Sequence, residues 1–112
     1  MPFMINYQPG ELVLVSFPFT TSGPGKPRPA LVVFDTGDAD VVLARVTTQF
    51  ATTPFDVPLQ QWQNAGLLAP SIIRLHKLAT IAKSSIIRPL GTIDPADRPA
   101  ISIAIRSVVG SW

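Results

Sequence analysis

The chain has 112 residues, 46% of them hydrophobic and only 14% charged, with a formal net charge of +2. That length suits a single domain, residues 1–112, with a modest core, and the weak basic bias permits a phosphate-rich partner without requiring one. The absence of cysteine excludes disulfides, thiolate catalysis and cysteine-based zinc sites, and it fits a reducing cytoplasm.

Met1 to Gln8 has no basic run followed by an apolar core, so no signal peptide is expected. No apolar stretch approaches the ~20 residues needed to span a bilayer, so no membrane partner is expected either. Glu11 to Phe19 (ELVLVSFPF) reads as a first strand, with Leu12, Leu14 and Ser16 on one face and Val13, Val15 and Phe17 on the other. Pro18 marks an edge or a bend. Thr20 to Pro27 is a loop, since its glycines and prolines break any regular ladder.

Pro29 to Asp35 is a second strand, apolar on both faces. Thr36 to Ala39 is a tight turn that pairs it with a third strand, Asp40 to Thr48. Phe55 to Leu59 is a short fourth strand, and Leu59 to Ala65 can hold one helical turn ended by Gly66. Ser71 to Ile81 and Ser84 to Ile93 are the fifth and sixth strands.

Asp94-Pro95 then signals a helix start, with Asp97 suited to the positive end of the helix dipole. Pro99 can delay the regular helix, and Gly110 ends it. Ile101, Ala104, Ile105 and Val108 form one apolar stripe. Strands followed by one late helix suggest a mainly β fold: a small barrel of about six strands with a C-terminal helix on its side.

Several segments resemble the MazF/PemK family of bacterial toxins. They are GELVLVSFPF (Gly10 to Phe19), KPRPALVV (Lys26 to Val33), ARVTTQ (Ala44 to Gln49), the run from Trp62 to Leu90 containing AGLLAPSIIRLHKLATI and SSIIRPLG, and the helix after Asp94-Pro95. Any one is weak alone, but the ordered set covers most of the chain. The resemblance implies an SH3-like barrel of the MazF, Kid and CcdB type. It also implies a homodimer, cleavage of single-stranded RNA without metal or other cofactor, and a small MazE-like antitoxin as partner. The low charge fits such partners, because an ordinary domain is about 25% charged and the apolar surface left here needs cover.

Metal-free RNA cleavage needs a base for the 2′-hydroxyl, a cation for the phosphorane and an acid for the leaving 5′-oxygen. Arg28 has the planar fork to grip a phosphate and, by resemblance, is a catalytic arginine; the alternative is an ordinary exposed loop residue. Thr47 aligns with a threonine that some members use at the end of strand three, and its hydroxyl can donate to a phosphate oxygen. The alternative is a β-branched strand filler. Thr48, Gln49, Lys26 and Lys77 are candidate RNA contacts, with a solvated surface charge the alternative for Lys77. Lys83 is either another or a solvated surface charge.

Arg74 and His76 are two apart on one strand and so share a face. Some family members carry an arginine and an acid at this spacing. Here the second position holds the chain's one histidine, a departure with two outcomes. Histidine exchanges protons near neutrality, so activity survives with altered roles; or a needed acid has been lost. A partly buried structural histidine is the bland alternative. Phe17, Phe19 and Phe50 are either core or base-stacking residues, and Trp62 is packing or partner surface. The leading reading is a sequence-specific endoribonuclease toxin. The runners-up are a CcdB-like toxin that traps gyrase without nuclease activity, and a catalytically degenerate member.

Overall fold

The structure is a computed structural model that describes residues 5–16 and 26–110. The sequence readings for Phe17, Pro18, Phe19 and most of the Thr20 to Pro27 loop lie outside those residues.

Six strands form one antiparallel sheet: β1 (Glu11–Val15), β2 (Arg28–Phe34), β3 (Asp40–Thr47), β4 (Asp56–Pro58), β5 (Ile72–Ala82) and β6 (Ile86–Thr92). Helix α1 (Arg98–Val109) follows a 3₁₀ turn at Pro95–Asp97. Each predicted strand is present within a few residues of its expected bounds. The helical turn appears in the 60–66 segment, where Ala65 N–H donates to Gln61 O at 3.2 Å and Leu67 N–H to Trp62 O at 3.1 Å.

The strand order is β4-β5-β3-β2-β1-β6. β5 and β6 are consecutive in the chain, yet β3, β2 and β1 lie between them. In a flat sheet they would stand ~19 Å apart. Only the 3₁₀ turn Lys83–Ser85 joins them, and such a turn rises about 2 Å per residue. The sheet must therefore curl until its two sides approach. Bulges in the β1–β6, β2–β3 and β3–β5 pairings sharpen the twist that allows this. The result is the expected small barrel in shape, although its hydrogen bonding stays open between β4 and β6.

Burial separates the two faces. Val13, Val15, Ala30, Val32, Val41, Leu43 and Ile81 form one core cluster, with Ile86 packed against it. Ile81 of β5 and Ile86 of β6 join this one cluster although three strands separate them in the sheet, so this is the concave face. Leu12, Leu31, Ala44, Val46, Val57, Ile73 and Leu75 form the second cluster on the convex face, roofed by Leu59, Ala65, Leu67 and Ala104. Ile101, Ile105 and Val108 of α1 and Trp62 pack against it. β2 feeds both clusters, which explains its apolar run on both faces.

Three polar contacts pin this frame. Asp97 is buried and accepts from Gln60 N–H and Gln61 N–H, both at 2.9 Å, tying the start of α1 to the 60–66 turn. Asp94 caps the 3₁₀ turn instead, accepting from Ala96 N–H at 2.9 Å. Lys83 corrects its sequence reading: it is a largely buried cation paired with Asp35 at 3.0 Å, not a solvated charge or a phosphate contact. Asp35 also accepts from Tyr7 N–H and Gly37 N–H. Burial works to raise the Asp35 pKa, but these bonds and Lys83 outweigh it and hold it below the usual carboxylate range.

The 60–66 turn approaches β6 backbone to backbone. Gly66 has φ +88°, and a Cβ there would lie 2.1 Å from Leu90 O. Gly66→Ala is therefore expected to cost about 3 kcal/mol and to lower the melting temperature by more than ~10 °C. Thermal unfolding followed by circular dichroism checks this; an unchanged melting temperature would contradict the close approach.

Candidate functional site

The concave core ends at Ala30, and the strand register continues from it as a row of charges. Ala30 pairs with Arg45 on β3, Arg45 with Arg74 on β5, and Arg74 with Asp56 on β4. Residues directly paired across a sheet share a face, so Arg45, Arg74 and Asp56 project together. Two residues along, Thr47 pairs with Ile72, and Ile72 with Pro58. Continuing the β2–β3 register by two residues sets Arg28 beside Thr47, on the face of Ala30. From Arg28 to Arg74 the Cα span is then ~12 Å, a gap that two arginine side chains can close around one phosphodiester.

The arrangement at Arg74 is specific. Its Nε donates to Asp56 Oδ1 at 2.9 Å. The other carboxylate oxygen, Oδ2, accepts from Thr53 N–H at 2.9 Å and from the Thr53 hydroxyl at 2.8 Å. The Asp56 side chain is fully buried, whereas Arg74 is 24% exposed. Burial pushes the Asp56 pKa up, but Arg74 and Thr53 more than offset this and hold it at about 2. Asp56 is thus a fixed anion, with Arg74 aimed by it.

His76 lies on the far side of Arg74. Arg74 Nη2 and His76 Nε2 are 3.4 Å apart. The ring packs on Phe55, with centroids 5.5 Å apart, and its Nδ1 is buried with no hydrogen-bond partner. His76 sits within a bulge of β5: Ala44 pairs with Leu78 while Arg45 pairs with Arg74. The three residues between them, Leu75, His76 and Lys77, have no opposite number on β3. Leu75 is core, His76 is half-buried and Lys77 is exposed.

The remaining predicted residues divide. Thr47 is half-buried, and its Oγ1 accepts from Gln49 N–H at 3.1 Å, leaving the hydroxyl hydrogen free to donate. Thr48 and Gln49 are exposed just past the end of β3. Lys26 and Arg28 are exposed at the start of β2. Phe50 is 88% exposed, which removes its core reading. Among the described residues, neither Arg28 nor Arg45 has a carboxylate within ion-pair distance. No three His, Asp or Glu side chains there gather as a metal site would need.

Two residues of this site escaped the sequence reading. Arg45 shares a face with Thr47 by simple alternation, a signal available within ARVTTQ. Asp56 had only the Thr53-x-x-Asp56 spacing to mark it, a local motif in which threonine buttresses a carboxylate.

A curled antiparallel sheet with arginines arrayed on one face defines a small-barrel protein with a cationic row at one end of its concave side. The chain belongs to the family of PemK-like, MazF-like toxins of type II toxin–antitoxin systems, whose profile matches residues 8–109. Solved structures agree on the fold. A mycobacterial endoribonuclease in complex with its cognate antitoxin is 23% identical with a TM-score of 0.74, covering 93% of this chain and 96% of that one. The Mycobacterium tuberculosis toxin MazF-mt6 is 22% identical, with a TM-score of 0.74 and coverage of 94% and 100%. MazF from Deinococcus radiodurans is 20% identical, with a TM-score of 0.73 and coverage of 96% and 100%. No helix among the described residues is long and apolar enough to cross a membrane.

The lowered Asp56 pKa has a consequence for stability. The unfolded carboxyl has a pKa of 3.9 or so, and the folded one about 2. The stabilisation is thus complete above about pH 5 and is lost as pH falls toward 2. Asp56→Asn is expected to lose about 1–2 kcal/mol at pH 7 and to flatten the decline of stability between pH 5 and 2. Urea unfolding at several pH values tests it. Parallel acid profiles for both proteins would show that the ion pair contributes nothing.

Proposed function

We propose that this chain is a toxin endoribonuclease that cuts single-stranded RNA at a short sequence, with no metal ion. The observation that supports this most is the direct pairing of Arg45 with Arg74 across β3 and β5. Like charges placed opposite each other on a sheet are destabilising. Asp56 answers the charge of Arg74 alone, so the row has an excess positive charge that a phosphodiester would neutralise.

In this reading Arg28 and Arg74 hold the non-bridging oxygens of the phosphorane, and the Thr47 hydroxyl donates a further hydrogen bond. His76 Nε2 takes the proton from the attacking 2′-hydroxyl, and the same proton goes to the departing 5′-oxygen. The products are a 2′,3′-cyclic phosphate and a 5′-hydroxyl. Asp56 does not serve as the base, because it is held as a stable anion with both oxygens occupied. Arg45, Lys26, Lys77, Thr48 and Gln49 extend the groove, and Phe50 offers a stacking face for one base.

The antitoxin is then an extended acidic or apolar segment that covers the same face and excludes RNA. The related mycobacterial endoribonuclease bound to its antitoxin supports that partnership. Exposed Phe34, Ile103 and Val109 favour a homodimer burying ~1,000 Å² or more.

Incubation of the purified protein with single-stranded RNA in EDTA is the direct test. Cleavage to cyclic-phosphate ends is expected, with Arg28→Ala slower by about 10²–10³-fold and Thr47→Ala slower by less. No cleavage, or an Arg28→Ala variant indistinguishable from wild type, would overturn the proposal; capture of gyrase without cleavage would favour the gyrase-trapping alternative.

Binding should also weaken with salt. About three phosphate contacts give a slope near −2 in log K against log salt, and Arg45→Ala should reduce it by about 0.7. Fluorescence anisotropy with labelled RNA measures both. A slope near zero would contradict phosphate binding by this row.

A further inference from the structure

The acid that the resemblance places two residues after Arg74 is absent here, and His76 stands in its position. A different strand brings a carboxylate to the same arginine. We infer that Asp56 of β4 is a positioning residue that acts through Arg74 to set the proton on the His76 ring; this rests on the nuclease reading for its catalytic meaning but not for its geometry.

The chain of contacts is continuous. The Thr53 N–H and hydroxyl anchor Oδ2 of Asp56 at 2.9 and 2.8 Å. Oδ1 then holds Arg74 Nε at 2.9 Å. With Nε engaged, the guanidinium plane is fixed and Nη2 points at His76 Nε2, 3.4 Å away. Arginine has donors only. The contact therefore needs a lone pair on Nε2, so the ring proton sits on Nδ1. Nδ1 is enclosed and without a partner, and the Phe55 ring fixes the imidazole plane beside it. In water imidazole of histidine favours the proton on Nε2. Here the preference is reversed, and the Nε2 lone pair is held by Arg74 through a long 3.4 Å contact that the 2′-hydroxyl displaces when Nε2 takes its proton.

The charged groups around the ring are few. Arg74 faces it from its own strand, Asp56 stands behind Arg74 on β4, and Arg45 is paired with Arg74 on β3. The carboxylate therefore does two things at once. It offsets the charge of Arg74, whose cross-strand neighbour Arg45 is also cationic, and it orients Arg74 toward His76 so that the ring can work as a base. Such an arrangement explains how the site keeps a proton acceptor although the family's acid is missing from position 76.

One histidine in the chain makes the test unambiguous. Long-range ¹H–¹⁵N spectra of the RNA-free protein report which ring nitrogen carries the proton. Wild type is expected to show the Nδ1–H form. Asp56→Asn is expected to shift the ring toward the Nε2–H form, and Asp56→Glu to restore part of the wild-type pattern. On RNA in EDTA, Asp56→Asn should lower kcat by about 100-fold with little change in KM, because a small misplacement of the reacting groups costs that much.

A backbone amide spectrum that matches wild type confirms that the variant is folded. Should Asp56→Asn fail to fold, Arg74→Gln reads the same contact from its exposed end and is expected to give the same shift. An unchanged ring pattern in a folded variant would overturn the positioning role. A shifted ring in a protein whose wild type never cuts RNA would uphold the relay and remove the nuclease reading instead.

Discussion

Two arginines are direct cross-strand neighbours on one face of the sheet, and one buried carboxylate answers the charge of the second. Arg45 and Arg74 are a direct cross-strand pair, and Asp56 meets Arg74 from the opposite side at 2.9 Å. Without the carboxylate, Arg74 would be free to swing into solvent, as long cationic side chains do when nothing holds them. With it, Arg74 is held through Nε, and its Nη2 lies 3.4 Å from His76 Nε2. The cost of gathering positive charge is met by the core on both sides of the same sheet.

The barrel's curl decides where that charge goes. A three-residue link between β5 and β6 forces the sheet to bend, and the bend separates a closed concave core from an open concave end. Ala30 is the last core residue of the row, and Arg45 is the first charge. The convex face has another task. Its cluster under α1 and Trp62 holds β3, β4 and β5 in register. Because that packing includes Val57 and Ile73, it also fixes the Asp56–Arg74 pairing. Apolar and charged faces thus alternate residue by residue along the same three strands.

Much of the fold was legible because alternation and turn chemistry are local. The six strands, the turn at Gly37, the stop at Gly66 and the stripe of α1 follow from neighbours a few positions apart. The concave sharing of Arg74 and His76 was legible for the same reason. Lys83 was not, because its burial depends on Asp35, a partner from a distant strand end. Neither was the β5 bulge at 75–77, since extra residues in a strand leave the hydrophobic pattern nearly unchanged. Asp56 could not be assigned to Arg74 from order alone; their meeting depends on β4 pairing with β5. The family likeness pointed to position 76 for an acid, and the fold supplies one from the adjacent strand.

In the proposed nuclease, Arg28, Thr47, Arg74 and His76 converge on one phosphodiester. A crystal structure with a short single-stranded RNA, its reactive 2′-hydroxyl replaced by hydrogen, tests this most directly. A phosphate is expected within hydrogen-bonding distance of the Arg28 and Arg74 guanidinium groups, with the adjacent 2′ carbon near His76 Nε2. An RNA seated on another face, or an Arg28 turned away from a phosphate held at Arg74, would contradict it.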